Sequence, residues 1–389
     1  MTPSPRKARL SPIKLKPTPT AKAFFLSLSF LLPIFQLYLF QPESFQSTWK
    51  GRAPYIFFLC LFFLELLRAW NKLPKKTLNP LNWTKTSAIA IALAAPTIYI
   101  VTAFTLGLNF KIVEIGKLLE IQRHGEYFLK DSWPLSLEYI FLTVFFAASI
   151  QLMYGINGSK WFTASLFFLG ATGSFYMIDT FYPYGAFTPL QSFVPFTASS
   201  ATLILGWMDY KTLMLSGPQG AAHLLIGGPT GGAHWYFYWP SAGVHSVITY
   251  TLVILLFIKD APFSPQRKTI HASIPEKLRL IAKKKTLSSM LKREKIRSAI
   301  MTAETFSTNL LGMIPLYLIF TIGATGTFIA NVLRIVYISI IGSKVGSEAT
   351  RDLFHSYYGE LFFVSWTIIY LMILLLLSRK IEQNPTRNG

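Results

Sequence analysis

The run TFSTNLLGMIPLYLIFTIGATGTFIANVL, residues 305–333, decides the class of this protein. It carries no charged residue, and a helix of roughly 20 apolar residues is long enough to cross a bilayer. Because the hydrocarbon offers no partners for backbone groups, such a run crosses the membrane as a helix. The sequence therefore predicts an integral membrane protein.

The composition of the whole chain agrees with that class. Of the 389 residues, 52% are hydrophobic and 14% are charged, whereas soluble globular proteins average about 25% charged. There are 37 Lys and Arg against 17 Asp and Glu, a formal net charge of +20. These values exclude a disordered chain, a secreted disulfide scaffold and an ordinary cytosolic enzyme. The single cysteine, Cys60, excludes disulfides within the chain and argues against a thiolate zinc site.

Further apolar runs predict an all-α helical bundle of about eight transmembrane helices, with seven to nine as the range. The two weakest spans are 161–180, which contains Asp179, and 190–207, which contains Pro195. One of these is expected to be re-entrant or interfacial, since eight spans satisfy every charge constraint below. The candidate spans are about 23–40, 53–70, 87–108, 135–155, 161–180, 190–207, 242–258, 306–330 and 361–378.

Basic residues favour the cytoplasmic side of a membrane protein. Here they concentrate in a tail at 1–22, loops at 71–86 and 259–299, and a tail at 379–389. We assign all four to the cytoplasm, around one polytopic domain at 23–378. The loop 259–299 holds 12 Lys and Arg. It predicts an amphipathic helix bound to anionic inner-leaflet lipids or, equally, a solvated basic linker; nucleic acid is not an expected partner.

With 259–299 inside, the stretch before the span 242–258 lies outside. Glycine clusters followed by an aromatic run predict an extracytoplasmic β-hairpin near 212–240. Pro240 and Ser241 then open a helix, with Ser241 at the N-cap or in the first turn. A nucleophile there is favoured by the positive end of the helix dipole. The simpler interpretation of Ser241 is a plain N-cap.

Two later motifs belong to the same outer face. Arg334 follows Asn331 at the end of the uncharged helix, and an arginine at membrane depth is normally paired or functional. Snorkelling to the interface is the alternative explanation. His355 and Gly359 lie just before the last span. A single interfacial histidine of this kind often serves only as a structural hydrogen-bond partner.

The order and spacing of these motifs resemble the exosortase/archaeosortase family of multi-spanning sorting proteases and transpeptidases. The family's helix-opening nucleophile motif, Cys-Ser/Ala-Gly-hydrophobic, is matched by the stretch from Ser241 through Gly243. Its Asn-x-x-Arg-Ile/Val motif is matched at 331–335, and its third catalytic position by His355, with Gly359 four residues on. The resemblance covers roughly residues 190–378, and within the family the chain resembles the thaumarchaeal archaeosortases.

The resemblance implies acyl transfer at the outer face of the cell membrane. The substrates would be membrane-anchored proteins with a C-terminal sorting signal, made of a short motif, a transmembrane helix and a basic tail. Ser241 would be the nucleophile, Arg334 would stabilise the oxyanion and His355 would be the base. His245, four residues after Ser241, is a second candidate base. The acyl group would pass to water or to an acceptor such as a lipid, without a metal or organic cofactor.

One departure from the family and three rivals remain open. The family nucleophile is a cysteine, so Ser241 makes the chain either a serine-type enzyme or a homologue that binds without cleaving. A rhomboid-like protease is disfavoured because Trp239 replaces the first glycine of its motif. A metal site would use His223, His234 and His245, which no nearby acidic residue accompanies. The last rival is a non-enzymatic transporter or assembly factor, although two matching halves are not evident.

Overall fold

The computed structural model describes residues 19–70, 73, 83–227, 232–259, 287–346 and 357–383. Most of the tail 1–22, most of the loop 259–299 and half of the tail 379–389 therefore lie outside the described residues. The predicted lipid-binding helix at 259–299 lies largely outside them as well. Contacts divide the chain into two compact units, Met1–Phe187 and Thr188–Gly389.

The chain is mostly helical (81%), with a small three-stranded antiparallel sheet. In the described part, six helices are long and apolar enough to cross a membrane, which indicates a multi-pass membrane protein. The predicted count of about eight is not confirmed. The helices at three of the remaining predicted spans have only 17, 14 and 15 residues, fewer than the roughly 20 that a span needs. The six are Ala21–Phe40, Trp83–Thr105, Phe128–Ile156, Lys160–Phe181, Leu316–Val345 and Glu360–Ser378.

The first unit is a helical bundle in which α5 packs on α6 and α3, α3 packs on α1, and α2 packs on α6. Its centre is a cluster of phenylalanine rings in edge-on contact, with Phe146 touching Phe30, Phe58 and Phe62. Such close aromatic packing matters in a membrane, where lipid tails are as apolar as the side chains. The helices are α1 (Pro19–Phe40), α2 (Ala53–Ala69), α3 (Trp83–Thr105), α4 (Leu108–Leu118), α5 (Trp133–Ser159) and α6 (Thr163–Phe181), with short helical turns at Pro42–Gln46, Ile121–His124, Phe128–Ser132 and Lys160–Phe162.

Buried ion pairs attach the α1–α2 connection to this bundle. Arg52 donates two hydrogen bonds to the carboxylate of Glu138, at 2.9 and 2.6 Å, and Lys50 lies 2.7 Å from Asp179. Burial lowers the pKa of the Lys50 ammonium, and the Asp179 carboxylate opposes that change. The charge that made 161–180 a weak span in the sequence is thus paired, and the helix there has full spanning length.

We expect Glu138→Ala to destabilise the first unit strongly, because it leaves Arg52 buried without its carboxylate partner. Removal of one member of a buried pair costs about 3–5 kcal/mol. Thermal unfolding of the detergent-solubilised protein measures this loss. Glu126→Ala is the matched control, since the Glu126–Lys130 pair is exposed and such pairs contribute about 0–1 kcal/mol. Equal melting temperatures for the two variants would contradict the expectation.

The second unit places a small sheet beside four longer helices. The strands run in the order β1-β2-β3, each antiparallel to the next. The predicted hairpin is therefore a three-stranded meander, because the aromatic run after the glycines pairs as a third strand. Helix α8 packs on β1, β2 and α10, and α9 packs on α10 and α11. The elements are α7 (Thr188–Gln191), α8 (Val194–Trp207), β1 (Thr212–Ser216), a helical turn Pro218–Gly220, β2 (Ala222–Ile226), β3 (Ala233–Phe237), α9 (Val244–Ile258), α10 (Leu287–Val345) and α11 (Tyr357–Gln383).

Helix α10 continues well past the predicted span 306–330. The prediction that Asn331 and Arg334 lie at its end is wrong, since the helix runs on to Val345 and both residues lie in its interior. The residues after Arg334 contain no proline and are mostly apolar (IVYISIIGS, 335–343), so no helix-breaking residue stops the helix at the arginine. The arginine is therefore held inside the protein, where its partners must come from other elements.

Candidate active site

The chain between β3 and α9 forms a tight turn that carries Ser241. Backbone hydrogen bonds within it join the Ala242 N–H to the Tyr238 carbonyl at 2.8 Å and the Gly243 N–H to the Pro240 carbonyl at 3.0 Å. Helix α9 begins at Val244, and its N-cap is Gly243. The prediction that Ser241 is the N-cap or lies in the first helical turn is thus wrong. Gly243 instead adopts the left-handed conformation that reverses the chain into the helix, with φ 71°.

The Ser241 hydroxyl is held by the backbone of its own turn. It accepts a hydrogen bond from the Tyr238 N–H and donates one to the Tyr238 carbonyl, both at 3.0 Å. The side chain is partly buried. Since Ser241 precedes the helix, the predicted i, i+4 placement of Ser241 and His245 on one helical face does not hold. The hydroxyl must release the Tyr238 contacts before it can attack a substrate.

Two motifs that are distant in sequence meet at this turn. Asn331 donates from Nδ2 to the Ala242 carbonyl at 2.8 Å. Arg334 donates from Nη1 to the Ser241 carbonyl at 3.3 Å and lies 3.5 Å from the side-chain oxygen of Asn331. The spacing of three residues places both side chains on one face of α10. They are 0% and 1% exposed, so the snorkelling alternative for Arg334 is wrong.

Gly243 is required at this position by space as well as by conformation. A Cβ atom added there would lie 2.2 Å from Oδ1 of Asn331 and 2.7 Å from Nη1 of Arg334. Both distances are far shorter than a van der Waals contact. The glycine therefore lets the motif on α10 approach the backbone of the Ser241 turn.

We expect Gly243→Ala to displace Asn331 and Arg334 and to lower stability by about 1–3 kcal/mol, the cost of a strained backbone residue. Thermal unfolding measures the loss. Gly206→Ala is the control, because an added Cβ there meets nothing within 4 Å and alanine favours the helix. A Gly243→Ala protein as stable as the control would refute the close packing.

A carboxylate that the sequence reasoning missed, Glu360, lies near Arg334. It accepts hydrogen bonds from Ser246 Oγ at 2.9 Å and from the Tyr250 hydroxyl at 3.3 Å. His245 Nε2 lies 4.0 Å from Oε1 of Glu360 and 3.0 Å from Ser246 Oγ. The Glu360 carboxylate and the Arg334 guanidinium also interact electrostatically. The available signal was an acidic residue opening an apolar span, since ionisable groups at membrane depth are usually functional.

The remaining predicted residues are only partly placed. His355 lies outside the described residues. Gly359 is in the first turn of α11, and its surroundings also lie outside the described part. Among the described residues, no group of three His, Cys, Asp or Glu side chains could hold a metal ion. His223 on β2 and His234 on β3 are diagonal neighbours whose ring centroids lie 5.6 Å apart.

Comparisons with known proteins do not add an assignment: no family model, no curated protein and no solved structure matches the chain. The chemistry of the site is therefore judged from its own groups. A buried guanidinium contacts the turn that carries the Ser241 hydroxyl, and Ser246 in the first turn of α9 contacts both a histidine and a buried carboxylate. Each of these group types has an established role in acyl transfer.

Proposed function

We propose that this protein is a membrane-embedded sorting protease or transpeptidase of the exosortase/archaeosortase type. It would cleave the C-terminal sorting signal of exported surface proteins by acyl transfer at the outer face of the cell membrane. The observation that carries the proposal is the contact of Asn331 and Arg334 with the Ser241–Ala242 carbonyls across Gly243. Two of the three motifs singled out by the resemblance, far apart in sequence, thereby meet at one backbone turn.

The reaction begins when Ser241 Oγ attacks the scissile carbonyl carbon and gives its proton to a histidine base. The carbonyl oxygen becomes an oxyanion, and the Arg334 guanidinium, whose Nη1 is 3.3 Å from the Ser241 carbonyl, is close enough to shift its donors to it. A comparable donor is worth about 3–4 kcal/mol. The histidine then protonates the departing amine, which leaves an acyl ester on Ser241. Water or an acceptor such as a lipid amine takes up the acyl group, and no metal or cofactor is required.

The sidedness belongs to the same proposal. The tails 1–22 and 379–389 and the loop 259–299 would lie in the cytoplasm, and the basic loop would contact anionic inner-leaflet lipids. Ser241 would then face outward. A substrate anchored by its own transmembrane helix would present its motif to Ser241 at the outer membrane surface.

A cleavage assay tests the proposal. The protein is co-expressed with tagged membrane proteins from the same genome that end in a shared motif, an apolar helix and a basic tail. We expect loss of the C-terminal tag in wild type and intact substrate when Ser241 is replaced. Intact substrates in wild type would instead support a binding homologue, a transporter or an assembly factor. Cleavage that does not depend on Ser241 would overturn the nucleophile assignment.

A further inference from the structure

Glu360 is a buried carboxylate that accepts hydrogen bonds from two hydroxyl groups of α9, those of Ser246 and Tyr250. Arg334 on α10 interacts with it electrostatically. Burial of a carboxylate is expensive unless it is paired and hydrogen-bonded. These groups stabilise the negative charge of Glu360, which lies 4.0 Å from Nε2 of His245.

The hydrogen bonds around Ser246 determine which nitrogen of His245 carries the proton. A serine hydroxyl has one hydrogen to donate, and Ser246 donates it to Glu360 Oε1 at 2.9 Å. Ser246 Oγ can then only accept from His245 Nε2, which lies 3.0 Å away. His245 Nε2 therefore carries the hydrogen, and Nδ1 is the ring nitrogen that can take up a proton.

We propose that Glu360, acting through Ser246, fixes the tautomer of His245 and stabilises its protonated form, which makes His245 the proton acceptor of the site. This inference rests on the proposed function for its catalytic meaning. Glu360 is a positioning residue, because it acts through Ser246 and through its charge. A carboxylate 4.0 Å from the imidazole favours the imidazolium that forms when Ser241 loses its proton.

Glu360→Gln keeps the size of the side chain and removes its charge. We expect processing to fall at least tenfold, and the acidic limb of its pH profile to move to lower pH because the imidazolium loses its carboxylate. Ser246→Ala removes the hydroxyl that links Glu360 to His245 but keeps the carboxylate. We expect it to lower the processing rate less, and to shift the acidic limb of the pH profile less, than Glu360→Gln. Glu126→Gln, at an exposed carboxylate, is the control and should match wild type in rate and pH profile.

A second measurement follows the protonation state of His245 directly and does not depend on substrate processing. Diethyl pyrocarbonate modifies neutral imidazole, and peptide mass spectrometry resolves the six histidines of the chain. We expect His245 in the purified Glu360→Gln protein to become reactive at lower pH than in wild type. In Ser246→Ala we expect the pH at which His245 becomes reactive to fall by a smaller amount. If Glu360→Gln fails to fold, the Ser246→Ala protein provides the test.

The outcomes separate this inference from the proposed function. An unchanged pH of His245 modification in both variants would overturn the Glu360–His245 coupling, whatever the processing result. An unchanged pH profile in Glu360→Gln, with processing still dependent on Ser241, would overturn it and leave the proposed function standing. Conversely, full processing by a Ser241 variant would refute the proposed function, while the modification experiment would still decide the coupling.

Discussion

Ser241→Ala is expected to abolish processing of a co-expressed substrate, with a fall in rate of at least about 10⁴-fold, since deletion of a serine nucleophile in a protease costs about 10⁶-fold. The reason is that alanine has no oxygen on which the acyl ester could form. The fold should survive, since the alanine loses only two hydrogen bonds to the Tyr238 backbone. Quantitative immunoblotting of the tagged substrate measures the rate.

Two further substitutions make this result specific. Ser241→Cys should retain measurable activity if the surrounding site still suits a thiolate, which is intrinsically the better nucleophile. Ser192→Ala is the matched control, because Ser192 is exposed and its hydroxyl donates to the local Pro189 carbonyl. Substrate cleavage by Ser241→Ala at the rate of this control would rule out Ser241 as the nucleophile.

The second large effect is expected for Arg334. In the wild type, one guanidinium nitrogen of Arg334 lies within reach of both the Ser241 carbonyl and the Asn331 side-chain oxygen. Arg334→Lys keeps the charge but loses the planar guanidinium group that presents several donors. We expect processing to fall about 10²–10³-fold, the cost of one oxyanion donor, and Arg334→Gln to be at least as impaired. The same cleavage assay measures both variants.

Loss of Arg334 also leaves Glu360 without its buried cation, so stability must be separated from catalysis. Arg334→Gln alone should lower the free energy of unfolding, because the buried Glu360 carboxylate loses a positive charge with which it interacts electrostatically. The double variant Arg334→Gln with Glu360→Gln removes both charges and should recover most of that stability while remaining inactive. Recovered activity in the double variant would show that Arg334 serves folding only. Arg123→Gln, at an exposed arginine, is the control for both measurements.

Part of this site was predictable from the sequence because its signals are local. An uncharged run, a glycine cluster before an aromatic run and an arginine in an apolar segment each stand out from their neighbours. The sequence singled out Asn331, Arg334 and Gly243, and the structure places these residues in contact.

Other features depended on contacts that no local pattern reports. Ser241 matches a helix N-cap by residue type, yet Gly243 takes that position because only glycine allows both φ 71° and the approach of Asn331. Helix α10 runs past Arg334, and Glu360 of α11 interacts with the arginine there electrostatically. The position of Glu360 at the start of an apolar span was a signal, but only the structure shows that Ser246 and Tyr250 donate hydrogen bonds to it.

The sequence by itself determined the class of the protein, since hydropathy and charge distribution follow directly from residue types and the bilayer acts on each segment separately. Only the tertiary structure decided which polar groups share a site. A buried charge is tolerable only beside a partner, and the partners of Arg334 and Glu360 come from helices brought together by packing. One of the many positive charges in the sequence, that of Arg334, therefore interacts with the Glu360 carboxylate and contacts the turn that carries Ser241.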